Sequence, residues 1–159
     1  MIKELTIDSE LEQSVDVIRN SFQSVADRFN LTRENCPTHP SFVTHDRMLE
    51  LKKKGSRFFG LFDGDTQVGF VAIEKSTEDL YFLEKLAVAP AYRHRLFGMQ
   101  LVRFALDHIK KSGGTVVSIG IIDEHTELKQ WYEKLGFREV NRKKFDHLPF
   151  TVCFMEMKL

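Results

Sequence analysis

Between Leu11 and Phe29 the apolar positions Leu11, Val15, Ile18, Phe22, Val25 and Phe29 follow one another in alternating steps of four and three. Those steps draw a single apolar stripe along one face of a helix. Ser9 and Glu12 frame its start as a capping box, a hydroxyl at the N-cap and a carboxylate three residues on. The preceding Ile2 to Ile7 reads as a short strand. After the helix, NLTRENCPTHPSFVT holds two prolines and many small polar residues, the marks of a loop or a broken helix. Thr44 caps a second helix, about Asp46 to Lys54, which Gly55 stops.

The period then changes. Arg57 to Phe62 and Val68 to Glu74 are rich in Phe, Val and Ile, and the intervening DGDTQ is turn-like, so they form a hairpin. Leu80 to Val88 is a third strand. Phe97 to Lys111 returns to the helical period, with Leu101, Val102, Ala105, Leu106 and Ile109 on one face, and Gly113-Gly114 ends it. Thr115 to Ile122 is a β-branched strand, and Thr126 to Leu135 is a short helix stopped by Gly136. Arg138 to Lys144 and Thr151 to Lys158 are the last two strands. The order β-α-α-β-β-β-α-β-α-β-β predicts a mixed α/β sheet with helices packed on it. Within residues 80 to 135 it predicts parallel strands joined by a right-handed crossover. No repeat, low-complexity tract or linker interrupts this order, so residues 1–159 are expected to form one domain.

Composition narrows the functional classes. The chain has 159 residues, 42% hydrophobic and 29% charged, enough to bury a core without disulfides or metals. Lys+Arg and Asp+Glu both number 23, so overall charge gives no sign of a nucleic-acid partner. Any anion site must arise from local clustering. Cys36 and Cys153 lack metal-ligand spacing and read as free thiols of a reducing compartment. The charged start MIKELTIDSE lacks an apolar signal core, and no run approaches the roughly 18 apolar residues of a membrane span. The expectation is a cytoplasmic protein with no membrane partner. His39, His45, His108 and His147 show no metal spacing and receive no role, and no metal is expected.

The chemistry concentrates at VAPAYRHRLFGMQLV, Val88 to Val102, where the third strand meets a helix. A helix start exposes unpaired N–H groups and the positive end of the dipole, a ready site for phosphate. Arg93, His94 and Arg95 add charge, and Gly98 leaves the first turn open to close approach. Read from the residues alone, this is an anion site or a solvated basic loop. Neither GxxxxGK[ST] nor GxGxxG occurs, which argues against a P-loop or dinucleotide fold.

Val88, Pro90, Arg93, Gly98 and Leu101 fit the pattern V-x-P-x-x-R-x-x-G-x-G/A-x-x-L, except that Leu96 replaces its first glycine. Downstream, WYEKLGF, Trp131 to Phe137, fits a second pattern, Y-E-K-x-G-F. Together these stretches resemble the GNAT superfamily of N-acetyltransferases over about residues 80 to 137. The resemblance implies a mixed, mostly antiparallel central sheet of about seven strands with a splayed parallel pair and about four helices. It also implies acetyl-CoA as co-substrate. Its pantetheine arm would pair with the backbone of Leu86, Ala87 and Val88. Its pyrophosphate would take N–H bonds from Arg93, His94, Arg95, Leu96, Phe97, Gly98 and Met99. His125 stands where many relatives place a cofactor-contacting asparagine, and it equally suits a helix cap. Leu96 can still donate its N–H, at a steric cost if the position needs a positive φ.

Acetyl transfer to an amine needs a base for the amine, donors for the oxyanion and an acid for the departing thiolate. By resemblance, Tyr132 is the candidate acid, since a phenol donates a proton without carrying charge; an aromatic packing residue is the other reading. Glu84 is the candidate base, placed by strand parity on one face with Phe82 and Leu86. Among apolar neighbours its carboxyl would titrate high or relay a proton through water; a solvated or ion-paired glutamate is the other reading. Trp131 is structural. The resemblance places the acceptor between residues about 26 to 48, with Arg28, Arg33, Glu34 and His39, and about 143 to 151, with Lys143, Lys144, Asp146 and His147. Their mixed charge selects no acceptor. The leading expectation is acetylation of a small-molecule primary amine, with room for a peptide amine, a longer acyl donor or a homodimer. The alternative is a CoA-binding regulatory module without turnover.

Overall fold

A computed structural model covering residues 1–159 contains β1 (Ile2–Glu4), α1 (Leu11–Arg28), α2 (His45–Lys53), β2 (Arg57–Asp63), β3 (Thr66–Lys75), β4 (Leu80–Val88), α3 (Phe97–Lys111), β5 (Val116–Ile122), α4 (Thr126–Leu135), β6 (Arg138–Lys144) and β7 (Thr151–Lys158). Short 3₁₀ turns occur at Asp8–Glu10, Pro40–Phe42 and Pro90–Tyr92. The strands form one seven-stranded sheet in the order β1-β2-β3-β4-β5-β7-β6. Only β4 and β5 run parallel. The mixed sheet, its parallel pair and its four α-helices agree with the architecture expected from the sequence.

Alternation along the strands divides the core between the two faces of the sheet. Phe58, Phe70 and Ala72 turn to one side and pack with Leu11, Val15 and Ile18 of α1 and Met48 of α2. Their neighbours Phe59, Val71 and Ile73 turn to the other and pack with Leu101, Val102, Ala105 and Ile109 of α3, and with Tyr132 and Phe137. Each fully buried aliphatic side chain of this kind stabilises the fold by roughly 1.5–3 kcal/mol.

The N-terminal boundary differs from the sequence reading. β1 ends at Glu4, and α1 begins after the 3₁₀ turn rather than at a Ser9 cap. The reciprocal bonds there join the Glu10 carboxylate to the Ile7 N–H at 3.1 Å and the Glu10 N–H to the Ile7 carbonyl at 3.0 Å. The same type of motif closes two residues earlier than the Ser9–Glu12 spacing suggested. Thr44 caps α2 as expected, its Oγ1 accepting the Arg47 N–H at 3.2 Å.

Two irregularities of β4 shape the cleft. Its pairing with β5 covers only Leu80 to Phe82 against Val116 to Ser118, after which the strands separate. On the other side, β4 pairs Glu84 with Ala72 but Ala87 with Phe70, so it carries one extra residue there. Lys85 absorbs that residue at φ 52°, as bulged strands do. The bulge reverses parity. Ala87 joins the α1 face of the sheet, while Leu86 and Val88 pack toward α3. The expectation that Glu84 shares a face with Leu86 is therefore corrected: simple alternation does not survive the extra residue.

Candidate active site

A cavity of about 690 Å³ opens where β4 and β5 diverge. Glu84, Lys85 and Leu86 line it from β4, Ser118 to Ile122 from β5, and His125 and Tyr132 lie at its α4 side. Ser21, Phe22 and Val25 of α1, with His39, close the opposite side.

At one end the cleft is built from backbone. The Ala89 N–H bonds the Val68 carbonyl, and the alternation of an antiparallel ladder then turns the backbone groups of Ala87 to β3. Those of Leu86 and Val88 turn to the gap. Ala87, expected to pair with a ligand arm, is thus committed to the sheet. The Val88 N–H donates to Ser21 Oγ at 3.3 Å. Beyond β4, the N–H groups from His94 to Met99 have no acceptor within the protein. They surround the start of α3, where the dipole adds positive potential.

The basic trio divides. Arg93 donates from Nη2 to the Ser21 carbonyl at 2.8 Å, which fastens the loop to α1. The Arg95 guanidinium lies over the Tyr92 ring at 5.1 Å. His94 is exposed and held at φ 64°. The side chains of Arg93 and Arg95 are thus engaged within the protein, and it is the loop's backbone N–H groups that are left without an acceptor. Leu96 stands at φ 63°, ψ 12°, with 65% of its surface exposed. The position does require a left-handed backbone, and leucine adopts it at a cost of roughly 1–2 kcal/mol. Gly98 has ordinary φ; a Cβ there would meet the Trp131 ring at 3.4 Å, a normal contact. The fold itself therefore does not demand a glycine at 98.

Tyr132 is 5% exposed, and its ring packs edge-on to Trp131 and Phe137 at 5.0 and 5.4 Å. It fills a core position and lines the cleft at once. Burial pushes the phenol's pKa up, so the group stays protonated. Glu84 reaches the cleft from the α1 face, with the Lys85 ammonium 3.6 Å from its carboxylate. The apolar surroundings expected of Glu84 thus include a cation. Glu74 of β3 lies nearby, and burial, then the Glu84 carboxylate, push its carboxyl pKa up. His125 caps α4, its Nδ1 accepting the Leu128 N–H at 3.4 Å, while it also lines the cleft. Burial lowers its pKa.

The opposite end is built from side chains, of which His39 and Phe150 fall within the stretches expected to hold the acceptor. Ser21, Phe22 and Val25 belong to the apolar stripe region of α1, yet they face the cavity. His39 is 7% exposed, with Nδ1 2.6 Å from Ser41 Oγ and accepting the Ser41 N–H at 3.3 Å. Its Nε2 therefore carries the hydrogen and has no partner within the protein. Burial lowers the pKa to about 4, so the ring is neutral at ordinary pH. Phe150, Val152 and Phe154 line the wall from β7 and its approach. The expected charged lining differs. Arg28 is tied to Glu127 at 2.7 Å, which holds that carboxyl pKa at about 2, and residues 143 to 147 do not line the cavity. A cluster of Asp123, Glu139 and Cys153 lies elsewhere, its carboxylates engaged by Lys129 and Arg142. Cys36 and Cys153 are free and buried, and burial pushes both thiol pKa values up.

Comparison with known proteins places this geometry in context. Residues 22–137 match the model of the acetyltransferase (GNAT) family. Mycothiol acetyltransferase of Corynebacterium glutamicum (strain R) is 31% identical over 105 residues, 64% of this chain and 36% of the relative. That of Corynebacterium efficiens is 34% identical over 82 residues, 52% of this chain and 28% of the relative. The chain thus spans about a third of the length of these curated relatives. Among solved structures, an aminoglycoside 6'-N-acetyltransferase complexed with coenzyme A superposes with a TM-score of 0.75 at 17% identity, covering 99% of this chain and 96% of that one. PaiA N-acetyltransferase from Thermoplasma acidophilum, in complex with coenzyme A, gives 0.74 at 19% identity, covering 100% and 99%. At these identities the structural likeness establishes the fold. No helix is long and apolar enough to cross a membrane.

Proposed function

The chain belongs to the acetyltransferase (GNAT) family, and on that premise we propose that residues 1–159 form one acetyltransferase domain moving the acetyl group of acetyl-CoA to a small-molecule primary amine. One observation carries this reading. The acceptor-free N–H groups of His94 to Met99 sit at the end of β4, beside the gap left by β5. A pyrophosphate suits the first feature, and an extended pantetheine arm suits the second, meeting the gap-facing backbone of Leu86 and Val88.

The chemistry then falls to few groups. Glu84 takes a proton from the incoming ammonium, directly or through water, so that the free amine attacks the thioester carbonyl. The Leu86 N–H, turned to the gap, stabilises the oxyanion. As the carbon–sulfur bond breaks, the Tyr132 hydroxyl protonates the departing CoA thiolate, and the proton that the acetylated nitrogen releases passes through cleft water to restore the phenol. Tyr132 suits this task because burial keeps it protonated and it lines the same cleft.

Acetyl-CoA should raise the melting temperature, the stabilisation growing as the logarithm of ligand over Kd. No shift at millimolar acetyl-CoA would overturn the proposal. Thiol release with an amine panel then separates an enzyme from a CoA-binding module.

A further inference from the structure

We infer that the acceptor is a monoamine carrying a compact aromatic or branched apolar group, and that the site discriminates against polyamines and aminoglycosides. The inference rests on the acetyltransferase reading and names its substrate class. It comes from the wall of the cleft on the α1 face of the sheet.

Phe82, opposite Ser118, and Phe154, opposite Gly120, flank the floor of this chamber. Gly120 leaves that floor bare. A Cβ there would meet Val152 Cγ1 at 3.3 Å and Phe154 Cε1 at 3.4 Å. Phe22 closes the wall opposite, its ring 5.7 Å from that of His39. Flat apolar surfaces therefore bound the space on several sides, the surroundings that favour an aromatic or branched hydrocarbon group.

The charge count points the same way. Glu84 is the only carboxylate lining the cavity, and Lys85 sits 3.6 Å from it. Arg93, also at the wall, is committed to the Ser21 carbonyl. One ammonium can meet Glu84. A second or third would find no further carboxylate on the cavity wall and would face Lys85, which penalises a polycation by desolvation and repulsion. His39 offers a fixed Nε2–H toward the cleft, suited to a single oxygen on the ligand. Its neutrality spares the entering ammonium a like charge.

Thiol release is measured with phenethylamine, isoamylamine, ethanolamine, spermidine and kanamycin at saturating acetyl-CoA. We expect kcat/KM for phenethylamine and isoamylamine at least tenfold above the other three. Phe154→Ala should raise KM for phenethylamine about tenfold, with acetyl-CoA affinity within twofold of the parent. Gly120→Ala, which narrows the floor without deleting a packed ring, should raise KM more for phenethylamine than for isoamylamine. Heat shift by acetyl-CoA verifies that each variant is folded. Spermidine or kanamycin as the best substrate would overturn the inference while leaving the acetyltransferase intact. Acetyl-CoA binding without turnover of any amine would overturn both the inference and the enzymatic reading.

Discussion

The two ends of the cleft are made of different material. The proposed cofactor end is backbone: the gap-facing groups of Leu86 and Val88, then the N–H groups of His94 to Met99. The acceptor end is side chains drawn from α1, the Pro40 turn, β4 and β7. Backbone groups are present whatever the residue, so the first end tolerates substitutions such as Leu96 for glycine. Side chains are the second end, so each substitution there changes what it recognises.

The contrast can be tested from its largest consequence downward. Glu84→Gln and Tyr132→Phe should each lower kcat by about 10²-fold or more, the usual worth of a positioned acid or base, with acetyl-CoA affinity within twofold. Parallel loss of affinity would make both residues packing elements and merge the two ends. His39 gives the next effect. The unfolded ring takes a proton below about pH 6.5, whereas the folded ring resists until about pH 4. The unfolded state thus binds more protons in that window, and stability falls as pH drops through it. The loss is on the order of 2–3 kcal/mol by pH 4 at 1.36 kcal/mol per unit, trimmed for contact with cleft water. Denaturant titrations at pH 7 and pH 4.5 should show a smaller difference in His39→Gln than in the parent; equal differences would refute the assignment.

Smaller effects probe the loop. Arg93→Ala should cost about 1.5 kcal/mol of stability, the worth of one charge-assisted bond, with a modest effect on acetyl-CoA binding. An unchanged melting temperature with tenfold weaker binding would instead make Arg93 a phosphate ligand. Leu96→Gly should change stability by less than about 1 kcal/mol, because relief of the left-handed strain is offset by glycine's greater unfolded freedom. Isothermal titration should then show acetyl-CoA affinity equal to the parent's or a few-fold tighter; a loss would mean that the leucine side chain itself holds the cofactor.

The same division governs what could be read from the chain. β4, α3, α4, β6 and β7 follow local period and turn residues, and their bounds match the sequence reading. The strand-to-helix loop proposed to hold the cofactor was legible as a candidate anion site because its groups lie within one contiguous stretch. The acceptor end was not, because Phe22, His39, Glu84 and Phe154 meet only through the fold. Phe22 and Val25 continue the stripe that begins with Leu11, and nothing in a periodic pattern says where core ends and cavity begins. Parity misassigned Leu86 because the extra residue at Lys85 leaves no local signature, a lysine being ordinary in an exposed turn and unusual at φ 52°. His39 enters the sequence reading only among the mixed polar residues of the expected acceptor stretch, because its partner, Ser41, is a short-range contact without a motif.

Ser21 and Phe22 are consecutive on α1 and both line the cleft, yet their contacts differ. Ser21 holds the loop through Arg93 and caps the Val88 N–H, while Phe22 forms part of the acceptor wall. A pantetheine carbonyl entering the gap competes with Ser21 Oγ for that N–H, and whatever adjustment α1 makes is passed to the next residue. On the proposed reading, α1 would couple donor occupancy to the acceptor pocket through these adjacent residues. Steady-state kinetics should accordingly show an ordered sequence, acetyl-CoA first, and Ser21→Ala should relax that order.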